Sequence, residues 1–153
     1  MNGVTYPLPT FPLDIAIKDG DAITLGDTTV KFHATPGHSP GVRSLEYTVY
    51  DGGKPHKAVT FGGPGMSRGA KNTEAYIKSV ERLLAIDDVE VNIPPHPFIN
   101  QEFEKAELLA KRKPGDPHPF VRPDEWRAWL EQLLDRAKKR LAAEEAGEQR
   151  SKQ

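Results

Sequence analysis

Cysteine is absent from the 153 residues. That excludes a disulfide framework, a thiolate metal site and a cysteine nucleophile, so any metal would have to be held by His, Asp or Glu. An excess of charge of either sign is also missing: 21 Lys and Arg stand against 22 Asp and Glu, a net charge of −1. Such a balance gives no electrostatic footprint for nucleic acid. No run approaches the ~20 apolar residues of a membrane span, so no membrane partner is expected. The opening Met1-Asn2-Gly3-Val4-Thr5 lacks a basic region followed by an apolar one, and no signal peptide is read in this chain. No G-x-S-x-G elbow supports a serine hydrolase. Gly62-Gly63-Pro64-Gly65-Met66-Ser67 lacks the Lys-Ser/Thr ending of a nucleotide loop, and Pro64 removes one amide. We read it as a turn beside a binding cleft rather than a phosphate cradle.

What is present suits one domain, or a piece of a larger one. Hydrophobic residues make up 37%, enough for a core, and the 14 Pro are roughly twice the average share, which predicts rigid loops. Residues 1–12 carry Pro7, Pro9 and Pro12 without periodicity and read as an extended arm. Short strand signals follow at Leu13–Ile17, Ile23–Leu25, Thr28–Ala34, Arg43–Tyr50 and Lys57–Phe61, the last two joined as a hairpin through Asp51-Gly52-Gly53. Apolar spacing predicts a helix over Thr73–Ile86 with Thr73 as its N-cap. A short strand over Val89–Ile93 and helices over Gln101–Lys113 and Arg122 to about Ala143 complete the reading. The second of these helices opens at Pro123, and its stripe includes Trp126, Trp129, Leu130, Leu133 and Leu134. The two Trp read as core, and the run Arg136, Lys138, Lys139, Arg140 as a solvated face. From Glu144 to 153 nothing asks for burial, so a frayed polar tail is expected. The order implies an α+β domain, a mostly antiparallel sheet with helices on one face.

Five His remain for chemistry: His33, His38, His56, His96 and His118. His38 lies between Pro-Gly and Ser-Pro-Gly just past a strand end, and His96 between Pro95 and Pro97 just past another. Proline on either side limits backbone freedom, and a rigidly aimed imidazole is what a metal ligand needs. Spacing alone favours two exposed loop histidines, since residues so far apart match no compact zinc pattern. His33, on an alternating strand, should face away from Phe32 at a solvated position, with a supporting role beside a ligand as the other reading. His56 reads as exposed in a hairpin turn, and His118 as a residue packing beside Phe120 at a helix start.

The run Asp19-Gly20-Asp21-Ala22-Ile23-Thr24-Leu25-Gly26, followed by a strand and Ala34-Thr35-Pro36-Gly37-His38-Ser39-Pro40-Gly41, resembles the metallo-β-lactamase superfamily. Asn92-Ile93-Pro94-Pro95-His96-Pro97 resembles its last ligand strand and loop, and Lys111–Val121 with the Trp-bearing helix resembles the end of the third β-lactamase subclass. The resemblance runs from about Pro7 to about Leu141. It implies an αββα sandwich of two similar halves, with an active site at the sheet edges that holds two zinc ions. It implies that His38 matches the third His of the first zinc site and His96 the final His of the second. The family's other ligands come from an HxHxDH motif in the first half, which is absent here, and Gly62-Gly63 stands roughly where lactamases of this subclass carry Ser.

The resulting expectation is the C-terminal half of a metallo-β-lactamase-fold zinc hydrolase, spanning 13–143. Its reaction class is amide, lactam or ester hydrolysis of a small-molecule substrate, with zinc weakly held or absent in this chain alone. A truncated inactive fragment, or an interaction module that pairs through its exposed sheet face, is the rival. An N-terminal half, or a second copy, is the expected partner. The open face is expected to draw on strands near Val30–Phe32, Leu45–Val49 and Val59–Phe61. Complete relatives of this kind are often exported.

Overall fold

Alternation of apolar and polar side chains makes the strands, and short glycine turns set their antiparallel pairing. β1 (Ala22–Leu25), β2 (Thr28–Ala34), β3 (Arg43–Asp51) and β4 (Lys54–Thr60) form a meander. The structure, a computed structural model, describes Pro12 and residues 14–151, so the expected arm lies outside the described residues apart from Pro12. After β4 the chain crosses through α1 (Ala70–Leu84) to β5 (Val91–Asn92), which pairs parallel to β4. α2 (Glu102–Lys111) and α3 (Pro123–Ser151) follow. The five strands stand in chain order in one mixed sheet.

Register decides what each face carries. Pairings His33↔Ser44, Glu46↔Val59 and Val59↔Asn92 put these residues on one face. α1 and α3 cover that face and bury Val59, Phe61, Tyr76, Val80, Leu83, Trp126, Leu130 and Ala137 in one core. The opposite face carries Val30, Phe32, Leu45, Tyr47 and Val49, all only half-buried. The open apolar face thus exists at the first two places expected. Val59 and Phe61 are a correction, since they point to the helices and are fully buried.

Two histidines are corrected as well, one on each face: His33 shares the helix-covered face, while His56 pairs with Val49 on the other and lies beside His118 and Phe120. His33 is 5% exposed beneath the helices, and its Nε2 lies 2.8 Å from a Glu46 carboxylate oxygen. His56 is 4% exposed within β4, 3.0 Å from Glu90. The expected strand at Leu13–Ile17 also fails: Leu13 is outside the described residues, and none of 14–17 is in a strand.

α1 begins earlier than expected, at Ala70 with Gly69 as N-cap, and Thr73 is not the cap. The capping acid comes from α3. Glu144 accepts the Gly69 N–H at 3.2 Å and the Thr73 hydroxyl at 2.6 Å, while Arg140 holds it at 2.8 Å. A carboxylate there satisfies an unpaired helix N–H and faces the positive helix end. The Thr73 hydroxyl, Arg140 and the Gly69 amide hold the Glu144 carboxyl below its ordinary value, against a smaller opposing effect of burial. The position read as the start of a frayed tail is therefore a tertiary contact, and α3 continues through Ser151.

Candidate functional site

Three chain segments meet at one edge of the sheet because of strand direction. The loop after β2, the loop after β4 and the loop after β5 all leave from that edge. They carry His38, Gly62–Gly65 and His96 respectively, and all of these line one cavity of about 510 Å³. α3 closes its side with Trp129, Gln132, Leu133 and Arg136.

His38 is aimed by its neighbours. Its Nδ1–H donates to the Gly65 carbonyl at 3.2 Å, which leaves Nε2 with a free lone pair in the neutral ring. Its own carbonyl accepts the Ser67 hydroxyl at 2.5 Å, and the Ser67 N–H donates to the Gly37 carbonyl at 3.1 Å. The glycine run is needed for this contact. A Cβ at Gly63 would sit 2.8 Å from the His38 Cβ, and one at Gly62 would sit 2.0 Å from the Arg43 carbonyl oxygen. From below, the Tyr76 hydroxyl donates to the Pro64 carbonyl at 2.6 Å. Burial pushes that phenol well above the usual tyrosine value.

His96 is exposed and stacks on Phe98, centroids 5.3 Å apart at 11°. Its loop is folded back on itself. The Ile99 N–H donates to the His96 carbonyl, the Glu102 N–H to Pro97, and the Asn100 side chain to the Asn92 carbonyl.

His118 lies elsewhere, with Asp51, His56 and Phe120 beside the β3–β4 turn at the far end of the sheet. Its Nδ1 accepts the Phe120 N–H at 3.2 Å, and burial lowers its pKa. Both observations suit a neutral packing residue beside Phe120.

Among the described residues, no group of three or more His, Cys, Asp or Glu gathers where it could hold a metal. Zinc sites use three or four protein ligands. His38 and His96 by themselves do not fit a complete zinc site. Arg136 and Gln132 were not foreseen as site residues, because one turn of helical spacing between a charged and a polar group reads as a solvated face.

No protein-family model matches the chain, and no curated protein matches it. Solved structures do. The subclass B3 metallo-β-lactamase BJP-1 of Bradyrhizobium japonicum superposes with a TM-score of 0.73 at 34% identity, over 91% of this chain and 54% of its own. Native FEZ-1 of Legionella gormanii gives 0.73 at 28% identity, over 83% and 50%. The metallo-β-lactamase SMB-1 gives 0.68 at 26%, over 85% and 52%. The chain spans about half the length of these enzymes. It is a structural homologue of the subclass B3 metallo-β-lactamases, matching them over most of its own length and about half of theirs.

Proposed function

We propose that this chain is the C-terminal half of a metallo-β-lactamase-fold hydrolase and is inactive without the complementary half. The observation that carries the reading is the two-sided sheet. Helices cover one face, while Val30, Phe32, Leu45, Tyr47 and Val49 on the other remain half-buried. A sandwich half needs such a surface, because its inner face packs on a second sheet. In this reading His38 and His96 are the ligands this half contributes, one to each of two zinc positions, and the remaining ligands come with the other half. Amide, lactam or ester hydrolysis belongs to the assembled domain.

The test is made with the isolated chain and with the N-terminal half of a subclass B3 enzyme added as a separate polypeptide. Alone, the chain is expected to bind less than stoichiometric zinc, to show no β-lactam hydrolysis and to self-associate through its open face. With the added half, a stoichiometric complex and zinc affinity should appear together. Tight zinc binding by the isolated chain, lost in His38→Ala, would overturn the reading. So would a monomer that ignores the added half, which would favour a self-sufficient binding module.

A further inference from the structure

Neither Arg140 nor Glu144 lines the cavity at the sheet edge, yet both hold the loop on which its histidine leans. The Arg140 guanidinium has three acceptors. Nε donates to Glu144 at 2.8 Å, and the two terminal nitrogens donate to the Met66 carbonyl at 3.4 Å and the Ser67 carbonyl at 3.1 Å. Glu144 in turn accepts the Gly69 N–H at 3.2 Å. The loop is thus fixed from one place on α3, at sequence separations of 73, 74 and 75 residues. Ser67 passes the placement on. Its hydroxyl donates to the His38 carbonyl and its N–H to the Gly37 carbonyl, while Gly65 accepts the His38 Nδ1–H. The Arg140–Glu144 pair also differs from its neighbours on α3. Its side chains are 30% and 20% exposed, against 76% and 60% for Lys139 and Asp135. An exposed pair on one helix contributes little, whereas a half-buried guanidinium forked onto two carbonyls sets a geometry.

We propose that Arg140, held by Glu144, is a positioning residue that aims the His38 imidazole through the segment from Gly65 to Ser67. A neutral imidazole has one bare nitrogen, and a carbonyl is an acceptor only, so the Gly65 contact requires the proton at Nδ1 and leaves Nε2 bare. A free histidine side chain favours the opposite tautomer. The Nδ1–H form of His38 therefore depends on the Gly65 carbonyl keeping its place. That carbonyl is pinned on both sides. The Tyr76 hydroxyl holds the Pro64 carbonyl before it, and Arg140 holds the Met66 and Ser67 carbonyls after it. Partners of a metal ligand fix its tautomer and orientation, and Arg140 acts one step further out, on those partners. The proposal deepens the function proposed above and rests on it for the role of His38 as a ligand. The geometry belongs to the chain alone and is tested there.

The experiment reads the two ring nitrogens of His38 by long-range proton–nitrogen NMR in the isolated, zinc-free chain, in alkaline solution where an imidazole is neutral. The parent should carry the proton on Nδ1. Arg140→Met keeps the aliphatic stem and loses the donors, and the ratio of Nδ1–H to Nε2–H forms should fall by about threefold or more, the net effect of one hydrogen bond. Ser67→Ala should lower the ratio through the His38 carbonyl, and Arg140→Lys should recover part of what Arg140→Met loses. Val89→Ala truncates the same core near the last turn of α1, away from His38, and controls for lost stability. It should lower the urea midpoint and leave the ratio alone. A parent with the proton on Nε2, an unchanged ratio in either Arg140→Met or Ser67→Ala, or an equal change in Val89→Ala would each overturn the proposal. Those results would leave the half-sandwich reading standing, because it is judged by assembly with the other half. Failure of that assembly would likewise leave the ring signals interpretable.

Discussion

Gly37→Ala is expected to be a strongly destabilising single-methyl change near the site, because it combines backbone strain with a steric clash. Gly37 has φ +135°, where L side chains are strained, and its missing Cβ would lie 2.5 Å from the Tyr76 Cβ and 2.6 Å from the Tyr76 Cα. Ordinary contact begins near 3.4 Å, so the methyl overlaps the backbone of α1 by nearly an ångström. The loop has little freedom to retreat. The Ser79 hydroxyl donates to the Pro36 carbonyl at 2.7 Å on one side, and Ser67 donates to the Gly37 carbonyl on the other. The backbone strain costs about 1–2 kcal/mol and the overpacking about 1–3 kcal/mol. The sum of about 2–5 kcal/mol is a large share of the 5–15 kcal/mol that holds a typical domain together. Gly41→Ala is the control, because nothing lies within 4 Å of its Cβ position and its φ is not positive. Urea unfolding followed by circular dichroism should show a lowered midpoint for Gly37→Ala at unchanged slope, with Gly41→Ala within about 0.5–1 kcal/mol of the parent. The His38 ring resonances should move only in the first variant. A Gly37→Ala protein within 0.5 kcal/mol of the parent, with His38 unmoved, would refute the packing argument.

Acid should loosen the joint between α1 and α3. The folded pKa of Glu144 is held below its ordinary value near 4.5, so the stability it provides is complete above that value and is lost as pH falls through the lower folded one. Glu144→Gln should flatten the acid limb of a stability profile taken from pH 6 to pH 3, and an unchanged limb would count against the cap. The two sheet faces should differ on truncation. Val59→Ala removes two buried methyl equivalents from the core and should cost about 2 kcal/mol, whereas Val30→Ala on the half-buried face should cost under about 1 kcal/mol in the isolated chain. Val30→Ala should instead weaken capture of the complementary half, as measured by calorimetry; equal costs for the two variants in the isolated chain would deny that the faces differ.

Much of the architecture was legible because it is local. Thr28–Ala34 alternates cleanly and is β2 to the residue, and Gly52-Gly53 sets the next hairpin. What failed was non-local. Thr73 is a good cap in a sequence window, but the carboxylate at the start of α1 arrives from Glu144 on another helix. The alternation rule assigns apolar side chains to the interior, which placed His33 outside; here the helices cover the face of His33, Ser44 and Val59, and the apolar face is the open one. At the site, the flanking prolines marked His38 and His96, and strand direction brings both to one cavity. Arg136 escaped notice because nothing within one turn of α3 distinguishes it from a solvated cation. Its setting is made by loops that are distant in sequence.

Strands β1 to β4 each pair with the next strand in the chain, while β5 reaches β4 only after α1 has crossed the sheet. Local closures cost little chain entropy, and a parallel crossover must wait for its long connection. The meander, with the His38 loop inside it, should therefore form early, and the docking of β5 should be the late event that brings His96 to the same edge. In pulse-labelled hydrogen exchange the Ile93 amide, bonded to the Val59 carbonyl at 3.1 Å, should become protected after the amides that join β2 to β3. The pair of histidines would then report the last stage of refolding, and a nascent chain released before β5 docks would hold one of them in place without the other.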